Sequence, residues 1–311
     1  MAGWDIDQIP DQSGRNILIT GANSGIGFEA AKGLASRGAH VILACRNLAK
    51  GDTAAKAIID EHPDAVVEVM KLDLADLKSV HEFADNFCAR FPALHVLCNN
   101  AGVMAIPRTE TADGFEMQFG TNHLGHFALT GLLIEPLNKT GGARVVNVSS
   151  QAHRMGRMNF NDLHGEEKYE KWAAYGQSKL SNLLFTFELN RRLDEAKLDI
   201  IAVAAHPGYA ATNLQFVGPQ MQGSSFLMTI SKFGNAVFAQ NQHMGALPTM
   251  YAATMPEVRG GDYFGPRGFM EMWGRPKKVG SNARSKREED WKRLWEISEE
   301  LTGVRYEALA S

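Results

Sequence analysis

Short apolar runs alternate with stretches of helical periodicity along this chain of 311 residues. The apolar runs predict six strands, near residues 15–20, 40–45, 65–71, 94–98, 143–149 and 198–204. The stretches between them have the spacing of amphipathic helices, near residues 25–37, 48–61, 76–90, 113–138 and 174–196. Strands that alternate with helices in this way predict an α/β fold with a doubly wound parallel sheet.

The periodicity lapses between residues 209 and 245, beyond the sixth strand. The apolar side chains of this segment include Leu214, Phe216, Val217, Met221, Phe226, Leu227 and Met228. Because ligands of open α/β sheets bind beyond the carboxyl ends of the strands, we expect this segment to cover an apolar substrate. The alternative is that it packs on its own domain or on a second subunit.

The sequence predicts a single domain over residues 1–311, because it contains no internal repeat, low-complexity tract or linker-like segment. A C-terminal helix is expected near residues 286–301. Trp291 and Trp295 stand four residues apart on that helix, and we expect them to dock it onto the domain.

Composition and charge bear on which partners the protein can bind and on where in the cell it is expected. The formal net charge of −3 argues against a nucleic-acid partner, which would require a basic surface. The densest basic stretch, residues 274–287, runs directly into Glu288, Glu289 and Asp290 and is interpreted as solvated surface. Neither a signal-peptide pattern nor a run of about 20 apolar residues occurs, so we expect no integral membrane segment and a cytoplasmic location.

The cysteines and histidines predict no metal site. Cys45, Cys88 and Cys98 lack metal-ligand spacing, and we expect them to be reduced packing residues, as in a cytosolic protein. His123 and His126 are three residues apart, but neither a glutamate nor a third ligand stands nearby.

The first predicted strand runs straight into a glycine-rich turn, G-A-N-S-G-I-G, which is followed by a helix. In this context Gly21 permits the tight turn, Gly25 lets the backbone approach a diphosphate, and Gly27 allows the helix to pack closely on the strand. A second strand follows, as a β-α-β dinucleotide-binding unit requires. A plain surface turn is the alternative interpretation.

A candidate proton-transfer site appears later in the chain. Tyr175 and Lys179 are four residues apart and lie on one face of a predicted helix, where a lysine ammonium can stabilise a tyrosine phenolate and lower its pKa. Ser150 closes a strand upstream. The Y-x-x-x-K pattern alone is a weak signal, because any amphipathic helix can contain it by chance.

Taken together, these motifs resemble the short-chain dehydrogenase/reductase family over nearly the whole chain. They are T-G-x-x-x-G-x-G at Thr20 to Gly27, N-N-A-G at Asn99 to Gly102, Asn122 in T-N-H-L-G-H-F, Ser150, Tyr175 with Lys179, and the P-G turn at Pro207 and Gly208. The pattern looks most like the retinol dehydrogenase and WW-domain oxidoreductase branch, without that branch's membrane anchor or WW module. The resemblance implies a Rossmann fold with a seventh strand near residues 261–265 and strand order 3-2-1-4-5-6-7.

The resemblance also implies the catalytic roles. Ser150 would polarise a substrate carbonyl, Tyr175 would transfer the proton, and Lys179 would lower the pKa of Tyr175 and hold the nicotinamide ribose. Ser150 is preferred to Ser149 because alternate strand residues face opposite sides and the family's serine is the second of the pair. Asn122 would distort its helix and keep a water chain to Lys179. The alternative is that Asn122 only satisfies backbone groups in a core helix.

The choice of cofactor depends on Arg46, which follows the second strand where an NAD-selecting enzyme would carry an acidic residue. A guanidinium there can pair with a 2′-phosphate, with added hydrogen bonds from Ser24 and Asn47, which predicts NADP(H). A solvated loop charge is the alternative. Asp73 resembles the family's adenine-contacting aspartate, and a cap for the helix near Asp76 is its alternative.

The expected cofactor contacts come from several segments of the chain. They are Gly21, Asn23, Ser24, Gly25, Ile26, Gly27, Arg46, Asn47, Asp73, Leu74, Asn100, Ala101, Gly102, Tyr175, Lys179, Pro207, Gly208 and Thr212. With the catalytic set, they predict an NADP(H)-dependent oxidoreductase that interconverts an apolar ketone or aldehyde and its alcohol. The alternative is a catalytically silent NADP(H)-sensing binding protein on the same fold. A homo-oligomer is a further expectation for this class. Light-dependent reduction of a tetrapyrrole has no specific residue support.

Overall fold

The predicted strands lie in one sheet in the computed structural model of this chain, which describes residues 3–209 and 241–309. Their order is β3-β2-β1-β4-β5-β6-β7-β8, so the expected order of the first seven is confirmed. The strands are β1 Asn16–Thr20, β2 His40–Cys45, β3 Val66–Lys71, β4 Val96–Asn99, β5 Ala143–Val148, β6 Ile200–Ala205, β7 Tyr263–Pro266 and β8 Pro276–Lys278.

Helices connect the strands and cover both faces of the sheet. Over the described residues they are α1 Gly25–Ala35, α2 Leu48–Glu61, α3 Leu77–Arg90, α4 Met117–Phe119, α5 Gly125–Leu132, α6 Ile134–Asn138, α7 Lys171–Glu195, α8 Gln242–Thr254 and α9 Glu288–Thr302. Short 3₁₀ turns occur at Ile6–Gln8, Gln151–Arg154, Phe269–Glu271, Ala283–Lys286 and Glu307–Leu309.

The sheet is buried on both faces, which explains why its strands are apolar without alternation. One face packs against α3, α5, α7 and α9 through side chains such as Phe87, Phe127 and Trp295. The other face packs against α1, α2 and α8 through side chains such as Leu34 and Met250. A parallel sheet covered by helices on both sides needs apolar residues at successive strand positions.

The eighth strand was not predicted, so the expected count of seven strands is too low. Strand β8 pairs antiparallel with β7, with Gly265 opposite Lys277 and Pro266 opposite Pro276. It is three residues long and carries two lysines. A strand at a sheet edge faces solvent and needs no apolar run, so the hydrophobic pattern gave no signal for it.

The single helix predicted over residues 113–138 is wrong. The chain makes one helical turn in α4, a π-helical turn at Gly120–Leu124, and then α5 and α6, which are separated at Leu133. Helix α7 begins at Lys171, three residues before the expected start, because the Glu170 carboxylate caps it by accepting from the backbone N–H groups of Trp172 and Ala173.

Helix α9 docks through both tryptophans, as expected. Trp295 is buried, and its ring centroid is 5.1 Å from that of Phe127 and 4.6 Å from that of Tyr306. Trp291 donates from its indole nitrogen to the carbonyl of Ser285 at 2.6 Å. The helix therefore closes the outer layer of the face that also carries α5 and α7. The expected substrate cover at 209–245 falls mostly outside the described residues.

Across the described ranges, none of the helices combines the length and the apolarity that a membrane crossing requires.

Candidate active site

The candidate site lies where the central strands end. Strands β1, β4, β5 and β6 run parallel, so their carboxyl ends meet at one edge of the sheet. Val148 at the end of β5 is in register with Ala205 at the end of β6. Ser149 and Ser150 therefore emerge beside His206, at the position where open α/β sheets bind ligands.

The glycine-rich turn after β1 has no room for a side chain at Gly27. A Cβ atom on Gly27 would lie 2.5 Å from the side-chain nitrogen of Asn100 and 2.6 Å from the carbonyl oxygen of Gly21. Gly21 itself has φ +67. Helix α1 starts directly after Ser24, and no side chain caps it. Its first N–H groups, with Asn23 and Ile26 in the same turn, form a cradle that fits a diphosphate.

The hydroxyl of Thr20 joins the ends of β1 and β4. Its oxygen accepts from the backbone N–H groups of Asn100 and Ala101 at 2.9 Å each, and Asn100 donates back to the Thr20 carbonyl at 2.8 Å. The same hydroxyl lies 2.9 Å from the Nε2 of His126, whose Nδ1 lies 3.0 Å from the Asn122 carbonyl. His126 thus supports the cradle, a role that sequence analysis did not assign to it or to Thr20.

The candidate adenosine contacts are mostly exposed. The Arg46 guanidinium is 76% exposed, and its Nε lies 4.0 Å from a carboxylate oxygen of Asp73. Asp73 accepts from the N–H of Ala75, whereas Asp76 caps α3, so the helix-cap alternative for Asp73 is wrong. The side-chain oxygen of Asn47 caps α2 by accepting from Lys50, which leaves its amide group as the part that can reach a phosphate.

Two further candidate cofactor residues are placed by close packing. Leu74 is buried, and a Cβ atom on Gly125 would lie 2.4 Å from its carbonyl oxygen. Helix α5 therefore fixes the backbone that follows β3. Beside β4, a Cβ atom on Gly102 would lie 2.9 Å from the side-chain oxygen of Asn122 and 3.5 Å from the Nζ of Lys179. Gly102 thus brings the cofactor cradle close to the candidate catalytic side chains.

Asn122 is fully buried in the π-helical turn. Its side-chain oxygen accepts from the Val103 N–H at 2.7 Å, and its nitrogen donates to the Val103 carbonyl and to the Ser178 hydroxyl at 2.9 Å each. The helix is distorted at this residue, and the side chain also satisfies backbone groups. Both alternatives considered for Asn122 therefore describe part of what it does.

The two serines after β5 have different surroundings. Ser149 is buried, and its hydroxyl donates to the Lys179 carbonyl at 2.8 Å. Ser150 caps the turn Gln151–Arg154, and its hydroxyl is close enough to the phenol of Tyr175 to lower the pKa of that group. Only Ser150 therefore has its hydroxyl at the tyrosine.

Tyr175 and Lys179 are both buried on α7. Burial raises the pKa of Tyr175 to about 12, against the opposing hydrogen bond with Ser150. Burial lowers the pKa of Lys179 to about 8. The Lys179 Nζ donates to the Val148 carbonyl at 3.1 Å and lies 5.8 Å from the centroid of the Tyr175 ring. Burial therefore dominates the pKa of this phenol here, and the lowering of that pKa by Lys179 stays a prediction.

The P-G turn after β6 contacts residues that sequence analysis missed. The N–H of Gly208 donates to the Nδ1 of His206, and the other nitrogen of that ring lies 3.1 Å from a carboxylate oxygen of Glu271. Glu271 also contacts Gln151 and Arg154, which follow Ser150. Pro207 and Gly208 lie beside this cluster. Thr212 lies outside the described residues.

The cysteines only partly match their expected packing role. Cys45 and Cys98 are buried, whereas Cys88 is exposed on α3, and all three are free thiols. Within residues 3–209 and 241–309, no group of three histidine, cysteine, aspartate or glutamate side chains is arranged to hold a metal ion.

Comparisons with known proteins identify relatives over most of the chain. A family profile described as short chain dehydrogenase matches residues 15–221. Retinol dehydrogenase 12 of Mus musculus is 43% identical over 302 residues, which cover 96% of this chain and 89% of that protein. Retinol dehydrogenase 11 of Homo sapiens is 42% identical over 293 residues, which cover 94% of this chain and 86% of that protein.

Solved structures agree with the fold. An uncharacterized protein from Mycobacterium paratuberculosis is 44% identical, with a TM-score of 0.80 over 98% of this chain and 99% of that chain. A short chain dehydrogenase from Shigella flexneri complexed with NADP is 23% identical, with a TM-score of 0.62 over 81% of this chain and 96% of that chain. The second similarity, at low identity, concerns the fold alone.

Proposed function

This chain belongs to the short-chain dehydrogenase/reductase family, in its retinol dehydrogenase branch, and we propose that it interconverts an apolar ketone or aldehyde and its alcohol with NADP(H). One observation carries this proposal. The hydroxyl of Ser150, just beyond the end of β5, is close enough to the phenol of Tyr175 to lower its pKa, and the buried Lys179 lies one helical turn further along α7. A protein that only senses a cofactor has no physical need for this arrangement.

In the reduction, Ser150 holds the substrate carbonyl by donating a hydrogen bond to its oxygen, and Tyr175 donates the proton that the oxygen needs. Burial raises the pKa of Tyr175 to about 12, so the phenol carries its proton at neutral pH. Stabilisation of the phenolate by the nearby Lys179 would make it a better donor. In the oxidation the phenolate oxygen of Tyr175 takes the proton back from the alcohol. A nicotinamide cofactor, when bound, supplies or accepts the hydride.

The residues around the strand ends fit a nicotinamide dinucleotide. The turn from Gly21 to Gly27 would hold the diphosphate with the backbone N–H groups at the start of α1. Gly27 allows this turn to pack closely, because a Cβ atom there would lie 2.5 Å from the Asn100 side chain. Asn100, Ala101 and Gly102 offer backbone for the cofactor to lie against, and Pro207 and Gly208 offer a second such surface. Lys179 would hold the nicotinamide ribose, and Asn122 would maintain the π-helical turn beside it.

NADP(H) rather than NAD(H) is proposed because of Arg46. This exposed guanidinium follows β2 directly, where its charge can pair with a 2′-phosphate. Asp73 lies 4.0 Å from its Nε, while the Asn47 amide and the hydroxyl of Ser24 offer further donors.

An apolar substrate is proposed because large apolar side chains are exposed around the candidate site. Nine such side chains are exposed among the described residues, and six of them lie on segments that border the site. These six are Met155, Trp172, Tyr209, Phe269, Met270 and Trp273. Their burial against a substrate would contribute about 25 cal/mol per Å². The relatives named retinol dehydrogenase carry the name of an apolar alcohol, which agrees with this proposal.

The proposal is tested by following NADPH and NADH oxidation by the purified protein with a panel of ketones and aldehydes. Specificity constants for aliphatic carbonyls should rise with chain length before levelling off, because each methylene adds about 0.8 kcal/mol when it is fully buried. A flat or falling series would reject the apolar pocket. Tight NADPH binding without turnover of any carbonyl or alcohol would favour the sensing alternative.

A cytoplasmic location is part of the same proposal, since that compartment keeps free thiols such as those of this chain reduced. Fractionation of cells that express the full chain tests it. Recovery in the membrane fraction after a high-salt wash would contradict it.

A further inference from the structure

The loop between β7 and β8 holds a strained backbone beside the candidate site. Met270 has φ 49 and Glu271 has φ 57, so two consecutive residues other than glycine lie in the left-handed region. Such conformations are costly and persist only where surrounding structure holds them, which makes them markers of function. The loop is held at its base by backbone hydrogen bonds between Arg267 and Arg275 and between Gly268 and Trp273.

The strained turn brings the Glu271 carboxylate to the ends of two other strands. One carboxylate oxygen lies 3.1 Å from the Nε2 of His206, which follows β6. The same group accepts from the side-chain amide of Gln151 and lies 3.3 Å from the Arg154 guanidinium. Glu271 therefore links the turn that follows Ser150 to the turn that follows β6.

The hydrogen bonds fix the tautomer of His206. A backbone N–H can only donate, so the Nδ1 that accepts from Gly208 at 3.1 Å must carry no proton. The proton of the neutral ring is then on Nε2, which donates a hydrogen bond to the Glu271 carboxylate. A carboxylate that fixes one nitrogen of a histidine so that the other can serve a second partner is a recurrent arrangement in functional sites.

The imidazole also has no room to move. A Cβ atom on Gly265 would lie 2.0 Å from the Nε2 of His206, and His206 is fully buried. The backbone of the loop holds the far side of the turn, because Tyr209 donates its N–H to the Met272 carbonyl at 2.8 Å. Loop, histidine and P-G turn therefore form one rigid unit.

We propose that Glu271 is a positioning residue that sets the shape of the cofactor-binding turn at Pro207 and Gly208 by holding His206 in its Nε2–H tautomer. The inference rests on the proposed function only in taking this turn as a cofactor contact. Glu271 touches neither substrate nor cofactor in this role. Its effect reaches the cofactor through the Gly208 N–H, and it should therefore change cofactor affinity more than the rate of the chemical step.

The first experiment compares the affinity of Glu271 variants for NADPH and NADH in binding titrations, which require no turnover. Glu271→Ala should raise the dissociation constant of the preferred cofactor about tenfold, with kcat at saturating cofactor within about threefold of the wild type. Glu271→Gln should restore most of the affinity because its amide oxygen can still accept from Nε2. Glu271→Asp should not, because its shorter side chain fails to reach the ring.

The matched control is Glu68→Ala, which removes another carboxylate paired with a histidine. Glu68 lies on β3, and one of its carboxylate oxygens is 2.9 Å from the Nε2 of His40 on β2. This pair is away from the carboxyl ends of the strands. This variant should lose stability without losing cofactor affinity. An unchanged dissociation constant in folded Glu271→Ala, or equal rescue by Asp and Gln, would overturn the proposal. If Glu271→Ala fails to fold, the comparison of Glu271→Asp with Glu271→Gln decides.

The second experiment reads the tautomer directly. Long-range ¹H–¹⁵N correlation spectra of protein with ¹⁵N-labelled histidine should show an unprotonated Nδ1 for His206 in the wild type, assigned by comparison with His206→Gln. A protonated Nδ1 would overturn the proposal. This readout is independent of activity, so a protein that turned over no carbonyl would sink the proposed function and still test the role of Glu271.

Discussion

At the catalytic end of the proposed cofactor groove the predicted residues are part of the protein core, whereas at the proposed adenosine end they lie on the surface. Asn122, Tyr175 and Lys179 are at most 5% exposed, and the side chains of Asn122 and Lys179 bond to backbone groups of other segments. Arg46 is 76% exposed, and its Nε lies 4.0 Å from a carboxylate oxygen of Asp73. The buried residues are positioned by the packing of the fold. The Arg46 side chain is positioned mainly by the end of β2, which it follows.

This difference predicts that chemistry and cofactor preference respond differently to mutation. Changing a side chain at the catalytic end disturbs packing and hydrogen bonds as well as reactivity. Changing one at the adenosine end alters charge while leaving the core intact. Selectivity between cofactors should therefore be adjustable at little cost in stability.

The strongest test of the catalytic end is Tyr175→Phe, which removes only the proton donor. We expect kcat/KM to fall about a thousandfold, while the dissociation constant of NADPH stays within about threefold of the wild type. Steady-state kinetics and binding titrations measure the two quantities. Tyr251→Phe, on the opposite face of the sheet, serves as the control and should stay within about twofold. Activity of Tyr175→Phe within tenfold of the wild type would show that another group donates the proton.

The next largest effect concerns stability at the same end. Asn122→Ala removes a buried side chain and leaves the partly buried N–H and carbonyl of Val103 without their partner, so the free energy of unfolding should fall by about 2–4 kcal/mol. The exposed Asn86 on α3 is the control, and Asn86→Ala should change stability by about 0.5 kcal/mol or less. Denaturant unfolding measures both. Equal losses in the two variants would contradict the prediction that the buried asparagine contributes more to stability than the exposed one.

A smaller effect is expected from Arg46→Asp at the adenosine end. The substitution turns a favourable contact with the 2′-phosphate into a repulsive one, so the preference for NADPH over NADH should fall about 10-fold to 100-fold. The melting temperature should stay within about 1 °C, because the side chain is exposed. Lys277→Asp, at the opposite edge of the sheet, makes the same charge change and should leave the preference unaltered. An unchanged preference in Arg46→Asp would move selectivity to Ser24 or Asn47.

The smallest effect is the acid dependence of the Glu271 contacts. The hydrogen bond with His206 is the main cause that lowers the pKa of Glu271 from 4.5 to about 2. A carboxylate with a lowered folded-state pKa stabilises the fold above its unfolded pKa, and this contribution is lost as the pH falls from about 4.5 to about 2. After allowance for solvent screening it is about 1 kcal/mol. Unfolding of wild type and Glu271→Gln across that range should converge at the acid end. A constant difference would show that the carboxylate charge adds nothing.

The parts of the fold that sequence analysis predicted are those with strong local patterns. Six strands were found because a sheet covered on both faces needs continuous apolar runs. Strand β8 was missed because an edge strand of three residues, two of them lysines, carries no such run. The break in the helix over residues 113–138 was missed because the residues of a π-helical turn fit an ordinary helix equally well.

In the candidate site, too, the residues with a strong local sequence pattern were predicted and the others were not. Ser150, Tyr175 and Lys179 were found because their spacing reflects strand and helix geometry, and the glycine-rich turn was found from its position between a strand and a helix. Glu271 was missed because its partners His206 and Arg154 are 65 and 117 residues away in the sequence. The effect of burial on the pKa of Tyr175 was also beyond the sequence, since desolvation depends on the packed surroundings.

Strand β8 also has a consequence for how copies of this chain can meet. An open sheet edge invites strands of a second molecule to pair with it and extend the sheet. Here the outermost strand on that side offers Pro276, which lacks an N–H donor, followed by the exposed cations Lys277 and Lys278. Two such edges brought together would oppose lysine with lysine, so the edge resists continuous β-pairing between molecules. A homo-oligomer of this chain would therefore have to associate through other surfaces, such as those of its helices.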